Sequence, residues 1–393
     1  MAMHFTGWPS RRGTAAGWTM LFGLAVGLGA CAPAAAAATK PAVMVGAYYF
    51  DGWNHKNSHV SKKLATRFAY HKPIWGWYDN TEAIMREQIN LAADHDIAFW
   101  AFDWYCKTVA NNQALHLYLK TPNRSRLGFC LNIINSQAIQ KEWTGCVRRW
   151  VFYLRQPTYL RLGGKPLLIV FAPRKLIQSL GGVAAARSAF GRLRAQARKA
   201  GIPGIQIAAN AADDATPADV QRFVRAGFTL LTGYGYFPPG VFWKVRRTKP
   251  EPFSVLAAYN RKIFDRFAGA PLPYIPSVNI GLDPRADDMY PPRPFIWFTR
   301  TPRDVERAVR MGVRWIYHYH YGHYGPAERI LLLCAWNETD GWLTPTAIRG
   351  DAYLDAVKRA VATPPNAMVG GPASLYGRAG AQPPPDAPNG KRN

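Results

Sequence analysis

The chain has few acidic residues: 24 aspartates and glutamates stand against 49 lysines and arginines, and the formal net charge is +25. Its basic residues are scattered through helix-like segments, without a long basic run or a nucleic-acid-binding motif. We therefore expect no nucleic-acid partner and a solvated, arginine-rich surface. An anionic membrane surface and an acidic polysaccharide remain as partners that such a charge would attract.

Cysteine is also scarce, and the five cysteines include no Cys-x-x-Cys pair, which argues against a zinc site. Cys130 and Cys334 fall within apolar runs, which favours buried thiols. Three histidines occur in the stretch Tyr317–Tyr324, between the last predicted helix and the last predicted strand. We interpret this stretch as packing or as a surface aromatic patch, and we predict no metal site.

A dinucleotide fingerprint is missing as well, because no Gly-x-Gly-x-x-Gly follows the first predicted strand. No lysine-and-glycine phosphate cradle is visible at the ends of the predicted strands. The sequence therefore predicts no cofactor.

No apolar run is long enough to span a bilayer. The stretch Gly17–Ala30 follows two arginines and is too short for a transmembrane helix, so residues 1–30 are predicted to form a signal peptide. Cys31 ends a Leu-Gly-Ala-Cys sequence that resembles a bacterial lipoprotein signal, which would make Cys31 the lipidated residue. Cleavage within Ala34–Ala38 is the alternative and would release a soluble protein.

These features predict export to a bacterial cell envelope, as an outer-membrane or periplasmic lipoprotein or as a secreted soluble protein. Residues 31–41 are rich in alanine and proline and are predicted to form a tether. Residues 42–362 are predicted to form one folded domain. Residues 363–393 are rich in proline, glycine and alanine, which predicts a disordered tail.

Within the folded domain, eight short apolar runs alternate with segments in which apolar residues recur every three or four positions. Buried runs alternating with amphipathic helices are typical of a parallel sheet covered on both faces. Eight of them predict an α/β fold, a single (β/α)8 TIM barrel with long loops after its strands. The predicted strands are Val43–Phe50, Ile97–Trp104, Leu127–Ile134, Pro166–Phe171, Ile205–Asn210, Phe228–Tyr236, Leu272–Ile280 and a strand that starts at Ile330.

In such a barrel the chemistry lies at the carboxyl ends of the strands. The side chains expected there are aromatic residues, amides and carboxylates, a set that suits a carbohydrate because flat rings stack on sugars and carboxylates transfer protons. They are Tyr48, Tyr49, Asp51, Trp53, Asp103, Trp104, Asn132, Asn210, Tyr234, Tyr236, Asn279, Asn337 and Glu338.

The eighth apolar run ends abruptly in Trp336-Asn337-Glu338, and Asp340 and Trp342 follow. A carboxylate at the end of a buried strand must face a cavity or a partner. Two carboxylates beside two indoles are typical of a sugar site, whereas the alternative is a cluster that only fixes a turn. We interpret Glu338 and Asp340 as candidate catalytic acids and the two tryptophans as candidate sugar-binding residues.

Several motifs resemble those of glycoside hydrolase family 99-like proteins, which include the WbsX group and are similar to endo-α-mannosidases. The opening motif is Gly46-Ala47-Tyr48-Tyr49-Phe50-Asp51-Gly52-Trp53. Others, in the order in which the family has them, are Gly76-Trp77-Tyr78-Asp79, Phe102-Asp103-Trp104-Tyr105, the run from Pro122 to Leu131, the run from Tyr159 to Pro166 and Ala335-Trp336-Asn337-Glu338. The resemblance adds Trp77, Tyr78 and Asp79 to the substrate-binding candidates.

The resemblance implies that Glu338 deprotonates the 2-hydroxyl of the sugar and so forms a 1,2-anhydro intermediate. It also implies that a second acid protonates the leaving oxygen and later activates water. The position of Asp340 corresponds best to that acid, but the loop is shorter than the family pattern and aspartate is one bond shorter than glutamate. Because a proton donor must come within about 3 Å of the oxygen it serves, Asp103, Asp79 and Asp51 remain alternatives.

Three functions are consistent with these residues. The first is a secreted or envelope-anchored glycoside hydrolase that cleaves internal bonds of an α-linked oligo- or polysaccharide. The second is a WbsX-type glycosyltransferase in surface polysaccharide synthesis, and an export signal argues against it because nucleotide-sugar donors are cytoplasmic. The third is a catalytically silent glycan-binding lipoprotein.

Overall fold

A computed structural model describes residues 43–362 with gaps at residues 56, 79–80, 107–108, 135–138, 140–141, 212, 239–249, 282, 287–296, 320–328 and 339–341. The predicted signal peptide, the lipidation site Cys31, the tether and the tail lie outside the described residues. So do Asp79 and Asp340. The predictions made for those positions stay predictions.

Eight parallel strands form the central sheet. They are β1 (Met44–Tyr49), β2 (Ile97–Trp104), β3 (Gly128–Ile133), β4 (Lys165–Val170), β5 (Gln206–Asn210), β6 (Leu230–Thr232), β7 (Ser277–Asn279) and β8 (Ile330–Cys334). From β1 to β6 each strand pairs with the next along the chain, β7 pairs with β8, and β8 pairs with β1 in the register Met44–Ile330 to Ala47–Leu333.

The remaining gap in the ring lies between β6 and β7. Here Leu231 donates a backbone hydrogen bond of 2.9 Å to Pro273 and accepts one of 2.8 Å from Ile275. These two bonds give a parallel bridge between Leu231 and Tyr274. The predicted (β/α)8 barrel is therefore confirmed.

Helices connect the strands and cover the outside of the sheet. They are α1 (Lys62–Thr66), α2 (Glu82–Asp94), α3 (Gln113–Lys120), α4 (Trp143–Leu154), α5 (Pro173–Ser179), α6 (Val183–Lys199), α7 (Pro217–Ala226), α8 (Phe253–Phe267), α9 (Pro302–Tyr319) and α10 (Ala352–Ala362). Short 3₁₀ helices span Ala69–His71, Val109–Asn112, Pro122–Arg126 and Pro284–Ala286. Five further two-residue segments are extended, and they pair as follows: Trp53–Asn54 with Asn57–Ser58, Arg161–Leu162 with β4, and Glu251–Pro252 with Phe298–Thr299.

Helix α7 shows how local sequence sets these bounds. Thr216 and Asp219 bond each other's backbone N–H groups in a capping box, and Pro217 takes the first helical position, where its missing N–H costs nothing. Gly227 ends the helix with a φ of 93°, a left-handed conformation that suits glycine. Between these two ends Val220 and Phe223 are buried on one side of the helix.

Candidate active site

The two halves of the barrel meet at its carboxyl end through Tyr48. The Tyr48 hydroxyl donates a hydrogen bond of 2.5 Å to the carbonyl of Gly233, just after β6. The ring of Tyr48 lies 4.5 Å from the ring of Tyr234. Since β1 and β6 are not neighbours in the sheet, both side chains lie across the interior of the barrel.

Asp103, at the end of β2, is the central carboxylate of this interior. Its Oδ1 accepts a hydrogen bond of 2.7 Å from the Asn132 side chain, and its Oδ2 accepts one of 3.1 Å from the Tyr234 hydroxyl. Burial raises the pKa of Asp103 to about 7, although these two hydrogen bonds lower it in part. A carboxyl group with this pKa can give or take a proton near neutral pH.

Glu338 follows β8 and also interacts with Tyr234. The Tyr234 side chain hydrogen-bonds to Glu338 as well as to Asp103, and burial together with both carboxylates raises the pKa of this tyrosine well above its usual value. The phenol of Tyr234 therefore interacts with one carboxylate of β2 and with one that follows β8. Paired carboxylates at the mouth of a barrel can supply an acid and a base.

Tyr105 completes this group, and the sequence did not mark it as a site residue. It is half-buried, and burial, followed by the charges of Asp103 and Glu338, raises its pKa. Its backbone is fixed by Asn112, which accepts from its N–H at 3.0 Å and donates to its carbonyl at 2.7 Å. Its place two positions after Asp103 was the available signal, since such residues lie on the loop at the mouth.

Phe171 is a second residue that sequence reasoning did not select. It follows β4 at the carboxyl end, its exposed fraction is 37%, and its ring packs edge-on against Tyr234 at 5.2 Å. An exposed phenyl ring beside the tyrosine that joins the two carboxylates is suited to stacking on a sugar.

Three aromatic candidates lie on the outer side of the sheet. Tyr49 and Trp336 both donate to Oε1 of Gln88 on α2, at 3.2 and 2.8 Å, and Trp104 packs against Trp150 on α4 at 5.8 Å. All three are buried between strands and helices. Consecutive strand residues point to opposite faces, so Tyr49 and Trp104 face outwards where Tyr48 and Asp103 face the interior. These positions outside the barrel do not fit the substrate-binding role expected from the sequence.

Asp51 and Asn337 lie at the mouth but hold the backbone there. Oδ2 of Asp51 accepts a hydrogen bond of 2.8 Å from Ala114 N–H at the start of α3, so the carboxylate caps that helix. Burial raises its pKa. The Asn337 amide exchanges two hydrogen bonds of 2.9 Å with the backbone of Phe50. This geometry favours structural roles over the substrate contacts that we expected.

The predicted tryptophans of the mouth form a separate aromatic cluster. Trp53 packs edge-on against Trp342 at 4.9 Å and stacks near Trp77 at 6.4 Å, and its indole N–H donates to the carbonyl of Asn337 at 2.7 Å. Tyr78 stacks on His55 at 4.1 Å. Trp53 and Trp342 are buried, whereas Trp77 and Tyr78 are half-buried and can reach a ligand.

The other predicted polar residues line β5, β6 and β7. Asn210 is buried at the end of β5 beside Thr232. The Tyr236 hydroxyl meets the Tyr274 hydroxyl at 2.9 Å in the core, and Asn279 Oδ1 accepts from Gly281 N–H at 3.1 Å. Tyr236 and Asn279 therefore fix their own loops, and the structure gathers Tyr48, Asp103, Asn132, Tyr234 and Glu338 as the candidate site.

The structure describes four cysteines and part of the histidine-rich stretch. Cys106 forms a disulfide with Cys146, which joins the loop after β2 to α4, and Cys130 and Cys334 are buried thiols, as expected. Tyr317 and His318 lie in α9, whereas His320–Tyr324 fall outside the described residues. Within the described ranges no three His, Cys, Asp or Glu side chains gather as a metal site, and no helix is long and apolar enough to cross a membrane.

Solved structures with a similar fold include two of GH99 endo-alpha-mannosidases. The chain superimposes on a GH99 endo-alpha-mannosidase from Bacteroides thetaiotaomicron with a TM-score of 0.55 and 14% sequence identity, over 81% of this chain and 96% of that one. A second GH99 structure, in complex with bis-tris-propane, gives a TM-score of 0.53 with the same coverage. The fold is that of the GH99 endo-mannosidases. The resemblance expected from the motifs is thereby confirmed for the fold.

No family model matches the chain. Over 324 residues it is 26% identical to the protein WxcX of Xanthomonas campestris pv. campestris, strain ATCC 33913, and equally to WxcX of strain B100. The match covers 74% of this chain and 43% of WxcX, so the chain spans less than half the length of these relatives.

Proposed function

We propose that this protein is an envelope glycoside hydrolase that cleaves internal bonds of an α-linked glycan and retains the configuration at the anomeric carbon. The observation that carries the proposal is the arrangement around Tyr234, whose hydroxyl contacts Asp103 and Glu338 at the carboxyl end of the barrel. Active sites of this fold lie at that end. The GH99 fold supports a glycan as the substrate.

Glu338 is proposed as the base. It removes the proton of the sugar 2-hydroxyl, whose oxygen attacks the anomeric carbon and forms a 1,2-anhydro sugar as the bond to the leaving group breaks. Its position after β8 and its contact with Tyr234 support this role. The second step reverses the first: water opens the three-membered ring at the anomeric carbon, and the proton returns from Glu338 to the 2-oxygen.

Asp103 is proposed as the acid that protonates the leaving oxygen and then deprotonates the attacking water. Its pKa of about 7 supports this role, because the group is partly protonated near neutral pH and can carry out both steps. Asp340 remains the alternative acid and lies outside the described residues.

An extended substrate is supported by aromatic side chains on two of the loops that follow strands, those after β1 and β4. Phe171 is exposed beside Tyr234, and Trp77 and Tyr78 are half-buried on the loop after β1. Flat rings spread over several loops can bind successive sugars of a chain. This spread favours an endo-acting enzyme over one that binds a single sugar.

Export to the envelope, with Cys31 as a lipid anchor, is part of the proposal. The Cys106–Cys146 disulfide supports it, because structural disulfides form in oxidising compartments such as the periplasm. Replacing Cys31 with serine should abolish fatty-acid labelling and release the protein from the membrane fraction. Unchanged membrane association would instead point to binding by charge and to cleavage at the alanine run.

The function is tested by incubating the purified protein with a panel of α-linked polysaccharides, α-mannans among them, and sizing the products. We expect oligosaccharides of intermediate size from the wild type. Glu338→Gln should lower turnover by about two to four orders of magnitude, while Asp94→Asn, at a carboxylate on α2 that pairs with Arg126, should leave it unchanged. A substrate without a 2-hydroxyl should not be cleaved.

Two results would replace this proposal. Glycan binding without cleavage, unaffected by Glu338→Gln, would identify a silent binding protein. Transfer of a sugar from a nucleotide donor to an acceptor glycan, without hydrolysis, would identify a WbsX-type transferase.

A further inference from the structure

A group of basic side chains belongs to the loops that follow β1, β7 and β8. We define this basic cluster as Arg285, Arg300 and Arg349 together with His71. Arg300 and Arg349 lie over the same ring, that of Tyr353, at 4.4 and 4.9 Å. The His71 ring packs 5.5 Å from Trp342, whose carbonyl accepts a hydrogen bond of 2.9 Å from Arg300.

Asp283 is the carboxylate that pairs with this cluster. Asp283 binds Arg285 through two hydrogen bonds of 2.7 Å, and its Oδ2 lies 3.6 Å from Nε2 of His71. In the part of the chain that the structure describes, no carboxylate lies within 4 Å of Arg300 or Arg349. Among the described residues the cluster therefore carries three guanidinium charges against one carboxylate, on half-buried arginines beside the buried His71, which is unfavourable unless an anion offsets it.

Arg349 shows where that anion would bind. Its Nε and Nη2 atoms are both buried, and no acceptor among the described residues lies within hydrogen-bond distance of either. These are the two nitrogens whose N–H bonds point to the same side of a guanidinium, the fork that binds two oxygens of one acidic group. Nδ1 of His71 is buried and also without a partner within the described ranges.

His71 and Arg349 are close to each other. Burial lowers the pKa of His71 and that of Arg300, and the charge of Arg349 adds to both shifts. The backbone segments that carry His71 and Arg349 also pair with each other. Pro73 and Thr346 form an antiparallel bridge, and Ile74 N–H donates to the carbonyl of Pro345 at 3.0 Å.

We propose that the basic cluster is a binding site for an oxyanion of carboxylate or sulfate type, held by the side-on fork of Arg349 with His71 beside it. Such a group can be a free ion or an acidic substituent of a glycan. The net charge of +25 favours acidic ligands in general. The proposal does not depend on the hydrolase activity, since Arg349 and His71 take no part in the proposed reaction.

The test is the thermal midpoint of the full chain in millimolar sodium sulfate against sodium chloride of equal ionic strength. The wild type should gain a few degrees, in a saturable manner, because a ligand that binds the folded state alone stabilises it. Arg349→Gln should lose this gain. Arg314→Gln is the matched control, since Arg314 also has a buried Nε without a partner, on α9, and it should respond like the wild type.

A second pair of measurements separates the sources of the acidic group and covers the case in which Arg349→Gln does not fold. A galacturonate oligosaccharide that stabilises the wild type, while its neutral counterpart does not, would identify the acid as a glycan substituent. A response to sulfate alone would identify a free ion. In crystals soaked in selenate, an anomalous peak should lie within hydrogen-bond distance of Arg349 Nε.

Three outcomes would overturn the proposal. They are no saturable gain in the wild type with either probe, an equal gain in Arg349→Gln, or selenate crystals without a peak at Arg349.

Discussion

The hydroxyl of Tyr234 lies 3.1 Å from Oδ2 of Asp103, although the two residues are 131 positions apart in the chain. The same side chain hydrogen-bonds to Glu338, so one phenol links a carboxylate of β2 with one that follows β8. A single proton cannot serve both carboxylates at once. A change in the protonation of one carboxylate therefore changes the pKa of the other through Tyr234.

The pH dependence of activity should depend on this contact. If Asp103 protonates the leaving group, its protonated form is the active one, and kcat/KM should fall as the pH rises through about 7. The Tyr234 hydrogen bond stabilises the carboxylate and lowers its pKa. Tyr234→Phe should therefore move this fall to higher pH, by about one unit, in a pH profile of kcat/KM.

Tyr236→Phe is the matched control, because the hydroxyl of Tyr236 meets that of Tyr274 in the core. It should leave the pH at which activity falls unchanged. A fall at the same pH in the wild type and in Tyr234→Phe would mean that Asp103 is not the group that titrates.

Phe171 should contribute to substrate binding. Removing the exposed ring in Phe171→Ala should lower kcat/KM for an oligosaccharide by about threefold to tenfold, the usual value of one aromatic contact. Phe152→Ala removes another exposed phenyl ring, on α4, and should have no effect. Equal kinetics in the two variants would show that Phe171 only packs against Tyr234.

The Cys106–Cys146 disulfide should stabilise the loop that carries Tyr105. It closes a loop of 40 residues, for which the entropy of the unfolded chain predicts about 3–4 kcal/mol. A reductant should lower the midpoint of urea unfolding of the wild type accordingly. The double variant Cys106→Ser/Cys146→Ser should start from the lower midpoint and not respond further, whereas a response to reductant would mean that another thiol is involved.

The strands and helices could be predicted closely because burial and periodicity are local signals. The predicted strand Ile97–Trp104 agrees with β2 at both ends, and the predicted strand Leu127–Ile134 is one residue longer than β3 at each end. The strands agree less well where loops follow. Phe228–Tyr236 was predicted as one run, whereas β6 ends at Thr232, because the chain bends at Tyr234, whose hydroxyl reaches Asp103.

The direction of side chains could not be predicted in the same way. In a barrel both faces of a strand are buried, so Tyr48 and Tyr49 look alike in sequence although one faces the interior and the other contacts Gln88. The role of Asp51 depends on the start of α3, which is 63 residues away. Such contacts follow from the closed ring of strands and not from any local pattern.

The identity of the acid can be decided by leaving-group dependence. A leaving group that needs protonation should suffer most when its acid is removed, so the responsible variant should lose far more activity on natural glycans than on aryl glycosides with good leaving groups. We expect this pattern for Asp103→Asn, with a loss of about two to four orders of magnitude on a glycan. On aryl glycosides, formate should restore part of the lost activity, because it can act as the base for the attacking water in place of the missing carboxylate. If Asp340→Asn shows the leaving-group pattern while Asp103→Asn does not, the acid is on the loop after β8, and Asp103 only fixes Tyr234.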